Sequence, residues 1–270
     1  MERAGARWPI DEELRVAQRI QRSLVLLPKV DLEGWEIASD YRPAREIGGD
    51  FFDAFPVLGT DPSNRLCVVI ADVSGKGISA AMLMAFLRPL VRAAMDHTGD
   101  PVEALERTNR ILVDERRTGL FVTMLCGVME PDGAFRFASA GHEMPLLVPA
   151  DGSPLRAVPG GGPLIGLFGR LDLRQEVVRL DPGDALVLYT DGVTDAARPD
   201  GERFGEARLR EILEGQHEAS AAQLVARVTE SVTAFQGSAP AADDLALLVV
   251  RRSAPARPSG GPSAAGRRGR

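Results

Sequence analysis

The chain has 270 residues, of which 44% are hydrophobic and 26% charged, so it holds enough apolar material to bury the core of one large domain. No apolar run reaches the roughly 18 residues of a membrane helix, and acidic residues near the start argue against a secretory signal. The net charge of −6 argues against nucleic acid as a partner. We therefore predict a cytoplasmic protein that binds neither nucleic acid nor a membrane.

The sequence divides into three predicted parts, which are an N-terminal helical segment at 1–30, a domain at 31–252 and a tail at 253–270. The tail is rich in Pro, Gly, Ser and Ala and carries four arginines but no acid, so we predict that it is disordered. Near-heptad spacing of apolar residues over 10–27 predicts a helix that ends at Pro28. The apolar stripe consists of Ile10, Leu14, Ala17, Leu24 and Leu27. Such a stripe favours a homodimer or an upstream activator protein, and packing against the chain's own domain is the alternative.

The domain begins with strand patterns and continues into helices. A helix is expected within 79–95, bent or broken near Pro89, and the next begins at Pro101 with Asp100 as its cap and Glu103 completing a capping box. Alternating apolar residues and turns between 121 and 193 predict antiparallel strands. The other expected elements are strands at 35–41, 51–57, 66–72 and 244–252, and helices near 205–214 and 219–235. Clustered strands with helices before and after them predict an α+β fold of two sheets flanked by helices.

The two cysteines, Cys67 and Cys126, lie within apolar runs. This setting is typical of buried thiols and not of a disulfide framework or a metal site. A reducing cytoplasm is the simplest location for them.

Four acidic clusters fall at strand ends or turns. They are Asp50 with Asp53, Asp72, Asp191 with Asp195, and Asp243 with Asp244. A single Asp beside a Gly is most often a turn residue. Four clusters in a chain with three histidines indicate an all-oxygen site for a hard divalent cation, Mg²⁺ or Mn²⁺, and hence a two-metal hydrolase.

The ordered segments that carry these acids resemble the SpoIIE/RsbU branch of the PPM family of metal-dependent protein serine/threonine phosphatases. The matching segments are GGDFFD, ADVSGKGISAAMLM, FVTMLCGV, ASAGHEMPLL, YTDGVTDA and DDLALLVVR, and the resemblance covers about residues 10–252. It implies an α-β-β-α sandwich with two Mn²⁺ or Mg²⁺ ions in a cleft at one end of the sheets.

The resemblance also implies roles for individual residues. Asp50 and Asp72 would hold the metal pair, with Asp72 bridging both ions and the Val73 carbonyl assisting. Asp191 and Asp243 would bind the second metal. Arg45 resembles an arginine that binds phosphate, and a solvated surface residue is its alternative.

Several other positions stay open. Asp244 could replace Asp243 as the ligand or support the site indirectly, Asp195 is uncertain, and Asp53 is either structural or part of the site. Ser74 stands where some relatives have a histidine, so the proton donor to the leaving group is unassigned.

Three further residues have an ordinary alternative. Lys76 could orient phosphate or its loop, or be an exposed turn residue. His142 is a candidate proton donor only if it lies near the cleft. Ala246 stands where the branch often has threonine, so the support of the Asp243 loop could differ.

The resemblance implies a phosphatase that uses metal-activated water to hydrolyse phosphoserine or phosphothreonine on a partner protein, usually a STAS-domain anti-anti-sigma factor. The alternative is a catalytically weak interaction module of the same fold that binds a STAS or kinase partner.

Overall fold

The computed structural model describes residues 10–25, 34–57, 65–114 and 119–253. The helix end expected at Pro28 and nearly all of the tail expected to be disordered lie outside these residues. The helices are α1 (Ile10–Val25), α2 (Ile78–Thr98), α3 (Pro101–Asp114), α4 (Asp191–Thr194), α5 (Gly205–Leu213) and α6 (Ala221–Gln236). The strands are β1 (Trp35–Arg42), β2 (Phe51–Pro56), β3 (Leu66–Val73), β4 (Val122–Met129), β5 (Ala134–Ala140), β6 (Leu146–Val148), β7 (Arg156–Ala157), β8 (Glu176–Arg179), β9 (Ala185–Tyr189) and β10 (Leu245–Arg252).

The strands form two five-stranded antiparallel sheets. One has the order β1-β10-β9-β6-β7 and the other the order β2-β3-β4-β5-β8. Alternate residues of each strand point to opposite faces, and in β3 and β10 both sets are apolar. Such strands are stable only where both faces are covered, so each sheet must lie between two apolar layers.

The first apolar layer lies between the two sheets. It includes Leu66, Val68 and Ile70 of β3 and Leu248 and Val250 of β10, all fully buried. The second layer joins the opposite face of β3 to α2 and α3, and the third joins the opposite face of β10 to α5 and α6. The architecture is therefore the expected α-β-β-α sandwich.

Helix α2 is continuous through Pro89, so the expectation of a broken helix is wrong. Among the described helices, α2 has the length and composition of a membrane span. Its apolar residues, including Met84, Leu87 and Met95, pack in the core against the sheet. Core packing therefore accounts for its apolar character.

Two helix starts have clear capping contacts. The Glu103 N–H donates to Asp100 Oδ1 at 3.0 Å, which confirms Asp100 as the cap of α3. Ser220 and Gln223 form a complete reciprocal capping box at the start of α6. The cysteine prediction is also confirmed, because Cys67 and Cys126 are free, fully buried thiols.

Candidate functional site

Four of the predicted site carboxylates come to one end of the sandwich. Asp50 immediately precedes β2, and Asp72 is near the end of its antiparallel partner β3, where Phe51 pairs with Ala71. Asp191 follows β9, and Asp243 precedes β10 in the other sheet, where Tyr189 pairs with Leu247. Each sheet thus contributes two carboxylates to the same edge.

Asp72 is the electrostatic centre of this group. It is hydrogen-bonded to Asp50, and its charge acts on Asp191 as well. Burial raises the pKa of Asp72, with further increases from Asp243 and Asp244. Burial also raises the pKa of Asp191 to about 7, with Asp72 the next cause. The group therefore holds more negative charge than the surrounding protein neutralises, which favours cation binding.

Asp50 is the most buried member, with 2% of its surface exposed. Burial raises the pKa of its carboxyl group well above the usual range, and Asp72 raises it further. The Thr190 hydroxyl also bonds the Asp50 side chain. Asp50 Oδ2 is buried and has no hydrogen-bond partner among the described residues. A buried carboxylate oxygen without a donor is stable when it contacts a cation.

The two glycines before Asp50 allow the backbone to approach this edge closely. A Cβ on Gly48 would lie 2.3 Å from Asp244 Oδ2, and a Cβ on Gly49 would lie 2.9 Å from the Val73 carbonyl oxygen. Neither position accepts a side chain without movement of its neighbours. The Val73 carbonyl thus lies beside the Asp50 loop, as a ligand at this edge would require.

Asp244 has a structural role, which favours Asp243 as the ligand of the two. Its Oδ1 accepts the Ala44 N–H at 2.7 Å and its Oδ2 accepts the Gly49 N–H at 2.6 Å. Because both oxygens bind backbone groups and the residue is 4% exposed, Asp244 fastens the loop before β2 to the start of β10. Asp243 is half-exposed and acts on Asp72 and Asp191, whereas the charge of Asp244 acts on Asp50 and Asp72.

Lys76 binds Asp243 directly. Its Nζ lies 2.8 Å from Asp243 Oδ2 and also donates to the Ala242 carbonyl. Lys76 is an exposed residue whose contact joins the loop after β3 to the loop before β10, and a role in orienting phosphate stays a prediction.

Arg45 is exposed and lies in the loop between β1 and β2. Its Nη1 lies 3.7 Å from the position of a Cβ on Gly77, at the start of α2. The guanidinium thus lies over the loop that contains Lys76, at the cleft end of the sandwich. It has no salt bridge to a described carboxylate, so it can bind an anion.

Two of the predicted acids are engaged in ion pairs with arginines. Asp53 is fully buried and pairs with Arg88 at 2.9 Å and with Arg92 at 3.9 Å, so it anchors α2 to β2. Asp195 pairs with Arg203 at 2.8 Å, and its charge also raises the pKa of Asp191.

His142 lies beneath the cleft but is unsuited to donate a proton at neutral pH. Its Nδ1 is 2.8 Å from the Thr123 hydroxyl, and Thr123 pairs with Asp72 across β4 and β3. Burial lowers the pKa of His142 to about 3, so the ring is neutral. The Ser74 hydroxyl is engaged in a structural hydrogen bond, because it accepts the Phe121 N–H at 2.9 Å.

Sequence reasoning missed two supporting residues. Thr190, between β9 and α4, bonds Asp50, and its hydroxyl also accepts the Ala246 N–H at 2.9 Å. Gln21 of α1 bonds both polar backbone groups of Gly48, at 2.6 and 3.0 Å. The sequence signal for this contact was a glutamine that interrupts the apolar stripe of α1, and the structure shows that it is buried.

The carboxylate group is open and not a closed cage. Among residues 10–25, 34–57, 65–114 and 119–253, no three His, Cys, Asp or Glu side chains surround a single point closely enough to enclose an ion. Mg²⁺ commonly retains several waters and takes only one or two protein carboxylates, so this openness is compatible with it. The unpartnered Asp50 oxygen and the all-oxygen donor set fit a hard divalent cation.

The fold and this site define a class of protein. The fold matches the SiaA-PP2C domain of Pseudomonas aeruginosa with a TM-score of 0.77 and 23% identity, covering 90% of this chain and 96% of that one. It matches the RsbU and RsbW domains of Rv1364c from Mycobacterium tuberculosis with a TM-score of 0.68 and 31% identity, covering 86% of this chain and 63% of that one. A third structure, RsbX in complex with magnesium, has a TM-score of 0.55 and 17% identity, with coverage of 83% and 98%. The chain thus has the fold of PP2C phosphatase domains.

The family follows from the sequence comparison. Residues 62–253 match the model of the Stage II sporulation protein E (SpoIIE) family, and the chain belongs to that family. It is 31% identical to Protein IcfG of Synechocystis sp. (strain ATCC 27184 / PCC 6803 / Kazusa) over 89% of this chain and 42% of that protein. It is 27% identical to Phosphoserine phosphatase RsbU of Bacillus subtilis (strain 168), over 92% of this chain and 72% of that protein. The chain therefore spans less than half the length of the first of these relatives.

Proposed function

We propose that this protein is a Mg²⁺- or Mn²⁺-dependent protein serine/threonine phosphatase. The observation that carries the proposal is the convergence of Asp50, Asp72, Asp191 and Asp243 from two sheets, with Asp72 electrostatically linked to the other three. Membership of the SpoIIE family and the name of RsbU support the same activity.

The four carboxylates and the Val73 carbonyl would together hold two cations. Asp50, Asp72 and the Val73 carbonyl would hold the first ion, and Asp72 would contribute to the second as well. Asp191 and Asp243, beside the ends of β9 and β10, would complete the second position. The magnesium in the RsbX structure supports the choice of a hard divalent ion for this fold.

Bound divalent cations would neutralise the phosphate dianion and lower the pKa of the attacking water. Arg45 contributes a fixed positive charge at the entrance, where it would bind and orient the phosphate oxygens. The buried thiols of Cys67 and Cys126 take no part, because both are sealed in the helix-side core. His142 positions Thr123 beneath Asp72 and stays neutral.

We further propose that the substrate is a phosphorylated STAS-domain protein in the cytoplasm. RsbU is named as a phosphoserine phosphatase, and the Rv1364c structure joins an RsbU domain to an RsbW domain. The second of these supports a protein as the partner of the site.

Helix α1 would carry regulation to this site. Its Gln21 holds Gly48, two residues before Asp50, so movement of α1 would move a metal ligand. Ile20 of α1 and Met82 of α2 are 58% and 69% exposed, within an apolar groove of about 400 Å³ that the two helices share. We propose that a second copy of the chain covers this surface and that an activator acts by changing the position of α1.

Phosphate release from a phosphoserine peptide and from p-nitrophenyl phosphate tests the activity. We expect turnover with Mn²⁺ or Mg²⁺, and its loss with a chelator or in Asp72→Asn. Asp132→Asn is the matched control, because Asp132 lies in the turn between β4 and β5 at the opposite end of the sheet. Binding of a phosphorylated STAS protein without turnover would instead support the interaction module.

A further inference from the structure

Lys76 and Asp243 connect the two sheets across the cleft. Lys76 lies between β3 and α2, and Asp243 precedes β10 of the other sheet, with 2.8 Å between Nζ and Oδ2. The ammonium also donates to the carbonyl of Ala242, the residue before Asp243. One lysine therefore holds the loop on which a proposed metal ligand stands.

This ion pair makes Asp243 different from the other three carboxylates. Asp50 shares a hydrogen bond with Asp72 and has one unpartnered oxygen. Asp191 has no ion-pair partner among the described residues, and burial and neighbouring acids raise its pKa. Of the four, Asp243 is the one in an ion pair with a side-chain cation among the described residues, and the same ammonium also acts on Asp72 without an ion-pair contact.

We infer that Lys76 competes with the second divalent cation for Asp243, so that the cleft binds its first cation at Asp50 and Asp72 and its second only at higher concentration. The inference rests on the proposed function. An ammonium at 2.8 Å occupies the side of the carboxylate that it contacts, and a divalent ion close to the same oxygens repels it. Asp243 Oδ1 accepts the Asp244 N–H at 3.0 Å, and an ion that binds Asp243 through Oδ2 must move the lysine.

The contact is suited to exchange. The Lys76 side chain is 36% exposed and that of Asp243 is 34% exposed. Ion pairs with this much solvent access contribute little to stability, so a divalent ion can break the pair at small cost. Lysine has a flexible four-carbon chain and leaves its partner more readily than a bidentate arginine.

Titration of Mn²⁺ into the full chain, followed by calorimetry and by the electron paramagnetic resonance of free Mn²⁺, tests the competition without an activity readout. We expect two classes of site in the wild-type protein. In Lys76→Met the weaker class tightens by about tenfold, because the positive charge in contact with Asp243 is removed. The stronger class tightens less, because the same charge acts on Asp72 without an ion-pair contact. Lys76→Arg keeps the charge and stays close to the wild type.

Two further variants locate the effect. Asp243→Asn removes the weaker class, and in this background Lys76→Met has no additional effect. Arg179→Met is the matched control, because Arg179 is 64% exposed and pairs with Asp132 at the far end of the sheet. It removes one positive charge and leaves both classes unchanged. Circular dichroism verifies folding, and Lys76→Gln replaces Lys76→Met if the latter fails to fold.

Each result decides between the alternatives. The competition is supported if the weaker class of sites tightens in Lys76→Met or Lys76→Gln but not in Lys76→Arg. Unchanged or weaker Mn²⁺ binding in Lys76→Met, or equal tightening in Lys76→Arg, overturns it and leaves the proposed phosphatase intact. A wild-type protein that binds no Mn²⁺ overturns both proposals.

Discussion

Gln21 on α1 and Gly48 in the loop before β2 are joined by two hydrogen bonds. Gln21 Nε2 donates to the Gly48 carbonyl at 2.6 Å, and the Gly48 N–H donates to Gln21 Oε1 at 3.0 Å. Gln21 is 6% exposed, so the contact is sealed from solvent. A helix at the start of the chain thus controls the backbone beside Asp50.

Replacement of Gln21 by Leu should loosen this connection. Two buried backbone groups lose their partners, which costs about 1–3 kcal/mol each. We expect a lower free energy of unfolding in urea, weaker Mn²⁺ binding and slower phosphate release. Ser23→Ala is the control, because the exposed Ser23 hydroxyl bonds only its own helix at Ile20. Equal losses in both variants would refute a specific role for Gln21.

Divalent cations should stabilise the protein through the carboxylate group. At a concentration of one hundred times Kd, a cation that binds only the folded state adds about 2.7 kcal/mol. Asp72→Asn removes the charge that links the other three carboxylates, so we expect this stabilisation to vanish while the metal-free variant stays folded. Thermal unfolding with Mn²⁺ and with chelator measures the difference. An undiminished Mn²⁺ effect in Asp72→Asn would place the cations elsewhere.

Arg45 is expected to act on the phosphate and not on the metal. Arg45→Ala should lower kcat/KM for a phosphoserine peptide by about tenfold or more, since a charge-assisted hydrogen bond is worth about 1.5–3 kcal/mol. Arg45→Lys keeps the charge but not the bidentate geometry, and should restore activity only in part. Mn²⁺ affinity should not change. Arg42→Ala, three residues away in an exposed pair with Asp40, is the control.

The buried pair of Asp53 and Arg88 should matter for stability alone. Asp53→Asn leaves the Arg88 guanidinium, which is 14% exposed, without its carboxylate partner, and breaking such a pair costs about 3–5 kcal/mol. Urea unfolding measures this loss. Asp132→Asn, which breaks an exposed pair, should cost less than about 1 kcal/mol. If the folded Asp53→Asn variant had an altered metal requirement, Asp53 would be part of the metal site.

The exposed apolar face of α1 and α2 should hold a homodimer together. Ile20→Glu combined with Met82→Glu places two charges on this face without entering the core. We expect the wild-type dimer to become a monomer, with altered basal phosphate release, measured by light scattering. Val177→Glu is the control, because Val177 is 60% exposed on β8. A wild-type monomer at high concentration would contradict this prediction.

The layered arrangement of sheets and helices could be predicted from local patterns, because the pattern of apolar residues along a strand indicates which of its faces are buried. Apolar residues at every position of 66–71 in β3 and of 245–250 in β10 required cover on both faces, and the segments between them supplied helices. Pro89 was misread, because a long helix with strong packing on one side accommodates a proline that an isolated helix would not.

The acids were accessible as candidates because each one ends or begins an apolar strand. Their pattern alone could not separate Asp243 from Asp244, or a site residue from Asp53. Those distinctions depend on which donors each carboxylate meets. Asp244 accepts hydrogen bonds from backbone N–H groups about 200 residues earlier in the chain, and Asp53 accepts one from Arg88 of α2.

By themselves, local periodicity and the types of residue at strand ends predicted two sheets flanked by helices, four acidic clusters and an all-oxygen chemistry. The sandwich and the choice of Asp50, Asp72, Asp191 and Asp243 were implied by the family resemblance. Only the tertiary structure decided that Gln21 holds Gly48, that Thr190 supports Asp50 and that Lys76 neutralises Asp243. The physical reason is that such contacts join loops from different sheets and helices. Their geometry exists only after the two sheets have packed face to face.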